Sequence, residues 1–184
     1  MKFSRFLAPG SVGLLALRAE VLAGGCRHCD CPSALAAHGY LRGYAASGHD
    51  TVSRGLRFFC SNRRRKPGCG RTFSILWDTV IPRCLLRTGQ LFGLLQATAG
   101  AATLHGAWTA SRLLISARSA CRWMARWHLL AAHVRTRLCM VVQPPGKTDG
   151  LPDPLGLRHL AAAFPTEGCP LAAFQRVLQI AVTG

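Results

Sequence analysis

The stretch RFFCSNRRRKPGCGRTFS, Arg57 to Ser74, places two cysteines on either side of a strongly basic loop. Cys60 and Cys69 bracket four consecutive cations, Arg63 to Lys66, and a glycine lies on each side of Cys69. Three kinds of structure accommodate this pattern: a loop closed by a disulfide, a turn that binds a metal ion, and a solvated turn. The positions of the other cysteines bear on the choice.

An earlier pair, Cys26 and Cys29, has the C-x2-C spacing and lies about thirty residues before Cys60. Thiolates bind Zn²⁺ well, and this spacing lets one tight turn present two sulfurs to one ion. A β-rich module of roughly 50 residues buries little apolar surface, so a bound metal would supply stability that its core lacks. The pattern predicts a tetrahedral Zn²⁺ site made of four cysteines, Cys26, Cys29, Cys60 and Cys69.

Other donors near the first pair compete for the same role. Cys31, His28 and His38 are all close to it in sequence, although C-x-C is a poorer chelating spacing than C-x2-C. The eight residues between Cys60 and Cys69 also exceed the usual short second turn, which leaves the ligand geometry open. Thiols without metal, a disulfide and a catalytic thiol remain alternative interpretations.

The charge balance points to a polyanionic partner. The chain has 184 residues, enough for one domain or two small ones, and 49% of them are hydrophobic, enough for a core. Its 23 Lys and Arg against 7 Asp and Glu give a net charge of +16. Nucleic acid is the commonest partner of such a chain. A GC-rich genome would enrich arginine too, but it does not explain why Thr79 to Thr148 contains no acidic residue.

The interpretation of the cysteine count depends on the cellular compartment of the protein. Nine cysteines would indicate disulfides in a secreted protein. The N-terminus has basic residues and an apolar run, but Arg18 and Glu20 fall where a signal peptide must be uncharged. An uninterrupted apolar stretch of about 18 residues, as a membrane span requires, is also missing from the sequence. We expect a cytoplasmic protein without a membrane partner, and clustered cysteines there usually bind metal.

The segment HGAWTASRLLISARSACRWMARWHLLAAHVRTRL predicts two helices. The first covers about residues 107–114, and the second, with Ser116 as its N-cap, reaches Leu138. On a helical wheel one side of the second helix carries Ala120, Trp123, Trp127, Leu130, Ala131, Val134 and Leu138. Another side carries arginines at i, i+4 steps, Arg118, Arg122 and Arg126.

This layout is typical of a helix-turn-helix, whose second helix enters the major groove with its N-terminal residues leading. Arg118, Ser119 and Arg122 are then candidate base or phosphate contacts, and Arg126 continues the stripe. The competing interpretation is an amphipathic core helix with a solvated basic face. The two tryptophans, Trp123 and Trp127, are expected in the core rather than as platforms for base stacking.

Two segments resemble parts of known proteins. CRHCDC…AAHGYLRGY…RGLRFFCSNRRRKPGCGRTFSILWDTVIPR resembles the N-terminal zinc-ribbon region of bacterial insertion-sequence transposases and their short relatives, over about residues 24–83. CGRTFS, Cys69 to Ser74, is its most specific part. The resemblance implies the same four cysteine ligands and leaves Cys31 outside the pattern. SARSACRWMARW is similar to the recognition-helix region of transposase and resolvase helix-turn-helix modules.

The predicted fold class is α+β, a small β-rich zinc ribbon followed by a helical, helix-turn-helix-like bundle. Composition divides the chain into a lead-in segment, a zinc-ribbon module, a helical module, a Pro/Gly-rich linker and short C-terminal helices. These are residues 1–24, 25–83, 84–140, 141–156 and 157–184.

The sequence predicts a DNA-binding protein rather than an enzyme. Its acidic residues form no convincing pair for metal-dependent phosphoryl chemistry, and it has neither a glycine-rich phosphate loop nor a hydrolase triad. We expect a zinc-dependent protein related to transposases, without a catalytic core, that binds duplex DNA; a transposase or a second copy is a further candidate partner. The predicted nucleic-acid contacts are Arg63, Arg64, Arg65, Lys66, Arg71, Arg118, Ser119, Arg122 and Arg126.

Two other functions stay open. An RNA-binding or ribosome-associated zinc-ribbon protein would use aromatics near the ribbon to stack unpaired bases, namely Phe58, Phe59, Phe73 and Trp77. A protein-interaction scaffold would carry its positive charge incidentally. Competition between duplex DNA and single-stranded RNA separates the first alternative from DNA binding.

Overall fold

The computed structural model describes residues 4–9, 14–31, 33–44, 51–82, 84–145 and 156–182. The chain divides into two compact units, Met1–Asp78 and Thr79–Gly184. The described residues form one four-stranded sheet and six helices, which confirms the predicted α+β class. The sheet and one helix belong to the first unit, and the second unit is helical.

The first unit is built on a mixed sheet of strand order β1-β4-β3-β2. Its elements are β1 (Ser4–Leu7), α1 (Leu14–Ala23), β2 (Leu35–Tyr44), β3 (Thr51–Cys60) and β4 (Thr72–Trp77). β3 pairs antiparallel with both β2 and β4, and β1 pairs parallel with β4. The β-branched and aromatic residues of TVSRGLRFFC and TFSILW favour strands, as the sequence predicts for this region.

The core of this unit lies on one face of the sheet. Leu56 is opposite Ile75 and Phe58 is opposite Phe73 across the β3–β4 pair, so these four side chains share a face. The Phe58 and Phe73 rings stack with centroids 5.3 Å apart. Leu17 of α1 is buried in the same cluster, so the helix covers this face of the sheet.

The burial of these rings bears on the RNA-binding alternative. Phe58 and Phe73 are 0% and 1% exposed, so the expectation that they stack bases is wrong. Phe59 and Trp77 are half-buried. The strand pattern places Phe58 and Phe73 in the core because they lie in register with each other on the covered face.

The N-terminal residues contribute to this unit beyond what the sequence predicts. β1 adds an edge strand, with Phe6 opposite Leu76 in β4, and Phe6 is buried. Val21 of α1 joins the core with Leu17, one helical turn away. A four-residue strand has almost no pattern of its own, and its partner β4 lies far along the chain, so local sequence gives no sign of the pairing.

The described residues of the second unit form five helices. They are α2 (Thr88–Gly100), α3 (Leu104–Ser111), α4 (Ala117–Leu138), α5 (Leu157–Ala163) and α6 (Pro170–Leu178). The Ser116 hydroxyl accepts a hydrogen bond from the Ser119 N–H at 3.2 Å, which confirms the predicted N-cap of α4, and the helix ends at Leu138 as predicted. α3 starts earlier than predicted because the Thr103 hydroxyl caps it, accepting from the Gly106 N–H at 3.1 Å.

α4 buries one face and exposes another. The buried side chains are Ala120, Met124, Trp127, Ala131, Val134 and Leu138, while Trp123 and Leu130 are half-buried. The six buried side chains belong to the same core cluster as Leu94 of α2 and Phe174 of α6, and Trp123 packs against it. This confirms the predicted apolar face and the core position of Trp127, and adds Met124 to it. Among the described helices, none has both the length and the apolar character needed to cross a bilayer.

Candidate metal centre

The structure brings together the four cysteines predicted as ligands. The sulfurs of Cys26, Cys29, Cys60 and Cys69 all lie within 4.8 Å of one another. The Cys26–Cys69 and Cys29–Cys60 sulfur pairs are each 3.7 Å apart. Ligands about 2.3 Å from a tetrahedral Zn²⁺ are about 3.8 Å from one another. These two separations match two edges of a tetrahedron around one central ion, and the other sulfur pairs are no more than 4.8 Å apart.

The same distances decide against disulfides in this cluster. A disulfide joins its sulfurs at about 2.04 Å, far below the 3.7 Å observed for each pair. All four cysteines are free thiols, with Cys26 and Cys60 buried, Cys69 half-buried and Cys29 exposed. The cluster is compatible with a bound metal ion, and one of its edges faces solvent.

The first pair of cysteines is presented by a tight turn. The Cys29 and Asp30 N–H groups both donate to the Cys26 carbonyl, at 3.3 and 2.6 Å. The His28 N–H donates to the Cys26 sulfur at 3.4 Å. Asp30 takes a left-handed φ of +53°, a conformation that aspartate tolerates better than most residues. The turn thus aims two sulfurs at one point and places an N–H dipole against one of them, which favours the thiolate.

The second pair is brought together by a hairpin rather than by a short turn. Cys60 is the last residue of β3, and its N–H donates to the Arg71 carbonyl at 2.9 Å, while its carbonyl accepts from the Gly70 N–H at 2.9 Å. The Cys69 N–H then donates to the Cys60 sulfur at 3.4 Å. Because strand pairing closes the base of the loop, the long C-x8-C spacing still lets both sulfurs meet.

One hydrogen bond links the two halves of the site through the backbone. The Ser61 N–H donates to the Ala34 carbonyl at 2.8 Å. Ala34 immediately precedes β2 and is fully buried, and the strand pairing continues from it with Leu35 opposite Cys60. The base of the basic loop is thereby fixed to the segment that follows the first cysteine turn.

Gly68 occupies the tightest position beside the cluster. A Cβ there would lie 2.2 Å from the Ser61 carbonyl oxygen and 2.7 Å from the Cys60 sulfur. The Gly68 N–H also donates to that Ser61 carbonyl at 3.1 Å. Only glycine fits this approach between the loop backbone and a candidate ligand.

We expect Gly68→Ala to destabilise the protein by about 1–3 kcal/mol, the usual cost of overpacking, and to lower its metal content. Thermal unfolding and metal analysis of the purified variant measure both effects. Gly93→Ala is the control, since a Cβ at Gly93 in α2 meets nothing within 4 Å. It should be neutral or stabilising by up to about 1 kcal/mol. Equal behaviour of the two variants would contradict the steric role of Gly68.

The environment shifts the acidity of the clustered thiols in different directions. Burial raises the pKa of Cys60 to about 12, and burial also raises the pKa of Cys26. Burial acts on Cys69 in the same sense, but hydrogen bonds from the Arg71 N–H and from the neighbouring thiols outweigh it, and the pKa of Cys69 is lowered. A metal ion bound here must displace the thiol protons, as every thiolate site requires.

The competing donors lie outside the cluster. Among the described residues, the metal-competent group contains only the four cysteines. The Cys31 sulfur instead lies 3.7 Å from the Ser33 hydroxyl, and the His38 ring lies against Phe59 with centroids 6.2 Å apart. The His28 ring is not part of the group either; its Nε2 is buried and has no hydrogen-bond partner among the described residues.

The basic loop forms a tight turn rooted in the cluster. The Lys66 N–H donates to the Arg63 carbonyl at 3.1 Å, and Arg64 and Arg65 between them have φ of +53° and +62°. Two central residues of positive φ are the mark of a type I′ turn. All four cations and the following Arg71 are exposed. Five of the predicted nucleic-acid contacts therefore surround one hairpin end, Arg63, Arg64, Arg65, Lys66 and Arg71.

The remaining predicted contacts are in the second unit, on α4. Arg118, Arg122 and Arg126 are exposed along the helix, as predicted. The Arg126 guanidinium lies 5.5 Å from the centroid of the Trp123 ring, within the range of a cation–π contact. Ser119 is half-buried, and its N–H is already bonded to the capping hydroxyl of Ser116, so it contributes to the helix cap.

Comparison with protein-family models, with curated proteins and with solved structures finds no match for this chain. The resemblance of residues 24–83 to transposase zinc ribbons stays a prediction, and so does that of α4 to a recognition helix.

Proposed function

We propose that this chain is a zinc-dependent DNA-binding protein related to transposases, with a zinc ribbon, a helix-turn-helix-like helical unit and no catalytic core of its own. One observation carries the proposal. Cys60 and Cys69, which close the arginine-rich loop, also supply half of the four-sulfur cluster. The candidate metal centre and the most concentrated cations of the chain thus share one hairpin.

The donor set favours zinc in a structural role. Four thiolates in a tetrahedron suit Zn²⁺ or an iron–sulfur centre, and soft sulfur ligands disfavour Mg²⁺ and Ca²⁺. An arrangement with sulfur pairs 3.7 Å apart fits one ion at the centre of the four. Four protein ligands leave no coordination position for a substrate, so the ion would stabilise the fold rather than activate water.

The loop supports binding of a polyanion. Its four cations extend from a short turn. Hydrogen bonds at the base of the hairpin and the cysteine cluster fix the two ends of this turn. A turn that is already ordered loses little backbone freedom on binding, so more of the electrostatic attraction remains as affinity. Arginine adds bidentate hydrogen bonds to phosphate oxygens, which lysine cannot make.

The helical unit supports a second contact. α3 and α4 follow each other closely, and α4 buries its apolar face while it exposes Arg118 and Arg122 near its N-terminus. A helix of this kind inserts its first turns into the major groove of duplex DNA. The overall charge of +16 would attract DNA over longer distances and would raise the rate of association.

The test combines metal analysis with a DNA titration. Purified protein should contain about one zinc per chain, as in other four-ligand structural sites. Its affinity for random duplex DNA should fall steeply between roughly 50 and 200 mM salt, because counterions are released as arginines bind phosphates. Protein that folds without zinc would contradict the ribbon, and salt-independent binding would contradict the phosphate contacts.

The double variant Arg118→Ala, Arg122→Ala should reduce the slope of log K against log salt concentration by up to about 1.8, or 0.9 for each phosphate that is no longer bound. Fluorescence anisotropy with labelled duplex at several salt concentrations measures it. Arg135→Ala, Arg137→Ala removes the same charge from the other end of α4 and should change the slope less. Full affinity in the first variant would favour the protein-interaction scaffold.

A further inference from the structure

A small cleft of about 140 Å³ lies in the first unit between α1 and the strands β2 and β3. Its floor is apolar, because Leu56 and Phe58 line it and are 6% and 0% exposed. Its rim carries two large side chains that stay accessible, Leu15 at 78% and Tyr40 at 53% exposure. Tyr40 is opposite Leu56 in the β2–β3 pair, so its ring is on the same face of the sheet as the floor.

A bulge in β2 borders this cleft. The strand register shifts between Ala37 and Gly39, which leaves His38 as an extra residue. Gly39 has a φ of +105°, and a Cβ built on it meets nothing within 4 Å. Because glycine lacks a side chain, residue 39 leaves this part of the cleft uncovered, and a flat ring can approach the strand backbone.

The polar residues that line the cleft are cationic or phenolic. Arg18 of α1 lines it, and none of the described residues around it is acidic. Arg57 of β3 also borders it, but it lies between Leu56 and Phe58 in the strand, so its side chain is on the opposite face of the sheet. Arg18 is exposed one helical turn from Leu15, at the rim. An apolar floor with a tyrosine and an arginine at its edge matches a planar ring that carries an anionic group. The volume is well below the about 300 Å³ of a small-molecule pocket, so it accommodates one base rather than a base pair.

The cleft and the basic loop belong to the same strand. β3 runs from Leu56 in the floor of the cleft to Cys60 at the base of the loop, a span of about 13 Å at the usual rise per residue. A nucleic-acid strand that passes from the cleft toward the loop can therefore place phosphates near Arg18 and near the loop arginines, within a few nucleotides.

We propose that this cleft, the Tyr40 cleft, binds one unpaired nucleotide, with the base against Tyr40 and the phosphate near Arg18. The inference rests on the proposed nucleic-acid function and narrows it. The preferred ligand is duplex DNA with an adjoining single-stranded segment. An unpaired RNA nucleotide offers the same ring and phosphate. The experiment therefore compares a DNA tail with an RNA tail.

The experiment uses the full-length, zinc-loaded protein and three ligands of one sequence: a blunt DNA duplex, the duplex with a single-stranded DNA tail, and the duplex with an RNA tail. Each tail contains 2-aminopurine, whose fluorescence falls when it stacks on an aromatic ring. The wild-type protein should bind a tailed duplex more tightly than the blunt one. Tyr40→Ala should weaken tailed binding about five- to a hundredfold, should leave blunt binding within about twofold, and should abolish the fluorescence change.

Three variants control for indirect effects. Tyr40→Phe keeps the ring and should bind like the wild type. Arg18→Ala changes only a cation on the surface of α1 and should weaken tailed binding selectively. Leu114→Ala changes an apolar side chain of the second unit that is 73% exposed, and should have no effect.

The outcomes separate this inference from the proposed function. Equal affinity for tailed and blunt duplexes, or tailed binding that Tyr40→Ala leaves unchanged, overturns the Tyr40 cleft. Salt-dependent binding of the blunt duplex would then still support the proposed function. Absence of binding to every ligand overturns the proposed function itself. If Tyr40→Ala lowers affinity for the RNA-tailed duplex alone, the cleft remains a nucleotide site and the nucleotide that it binds belongs to RNA.

Discussion

Cys60→Ser is expected to abolish metal binding and to unfold the sheet of the first unit. Cys60 is completely buried, ends β3, and lies 3.7 Å from the sulfur of Cys29. Structural zinc contributes an apparent free energy of about 10–16 kcal/mol to folding in small zinc modules, far more than their cores supply. Loss of one of four ligands therefore removes most of the stability of this unit.

Metal analysis and hydrogen exchange measure the effect of Cys60→Ser. Bound zinc should fall from about one per chain to none, and amides of β3 and β4 should lose protection while those of α4 keep it. Cys31→Ser and Cys121→Ser are matched controls, because both thiols lie outside the cluster. They should keep metal and protection. A Cys60→Ser protein with unchanged metal content would contradict the four-cysteine site.

Neutralising the basic loop should cause the second large loss, in affinity for DNA. The change is Arg63→Ser, Arg64→Gly, Arg65→Gly and Lys66→Ser, which removes four charges and places glycine at the two left-handed positions. The slope of log K against log salt concentration should fall by up to about 3.6, for four phosphate contacts at 0.9 each. Stability should not fall, because a left-handed conformation costs a non-glycine residue about 1–2 kcal/mol.

A charge-preserving variant separates net charge from side-chain chemistry. Arg63→Lys, Arg64→Lys and Arg65→Lys keep the loop at four positive charges and should retain the salt slope of the wild type. Any loss of affinity at constant slope then measures the bidentate contacts of arginine. If the neutral variant binds duplex DNA with an unaltered slope, the loop is a solvated turn and the proposed role of these residues is wrong.

Local signals in the sequence predicted the parts of the structure that depend on near neighbours. The Ser116 cap and the end of α4 at Leu138 follow from a capping residue and from helical periodicity within one segment. The convergence of Cys26 and Cys29 with Cys60 and Cys69 was predictable too, because a C-x2-C pair followed by a second cysteine pair is a sequence pattern typical of metal sites.

Features that depend on distant parts of the chain were not predictable. The pairing of β1 with β4 joins segments from opposite ends of the first unit. The burial of Phe58 and Phe73 follows from the register of two strands, which alternation in either strand alone does not fix. The need for glycine at position 68 arises from contacts with Ser61 and Cys60. Each is a tertiary constraint that overrides or adds to local preference.

Cys60 and Cys69 are candidate metal ligands and also close the base of the basic loop. This double role would couple metal binding to DNA binding. If zinc orders the turn that contacts phosphate, zinc and DNA are linked ligands of one hairpin. Thermodynamic linkage then requires that bound DNA raise the affinity for zinc by the same factor by which bound zinc raises the affinity for DNA. The DNA-bound protein would therefore retain its zinc at a chelator concentration that removes zinc from the free protein.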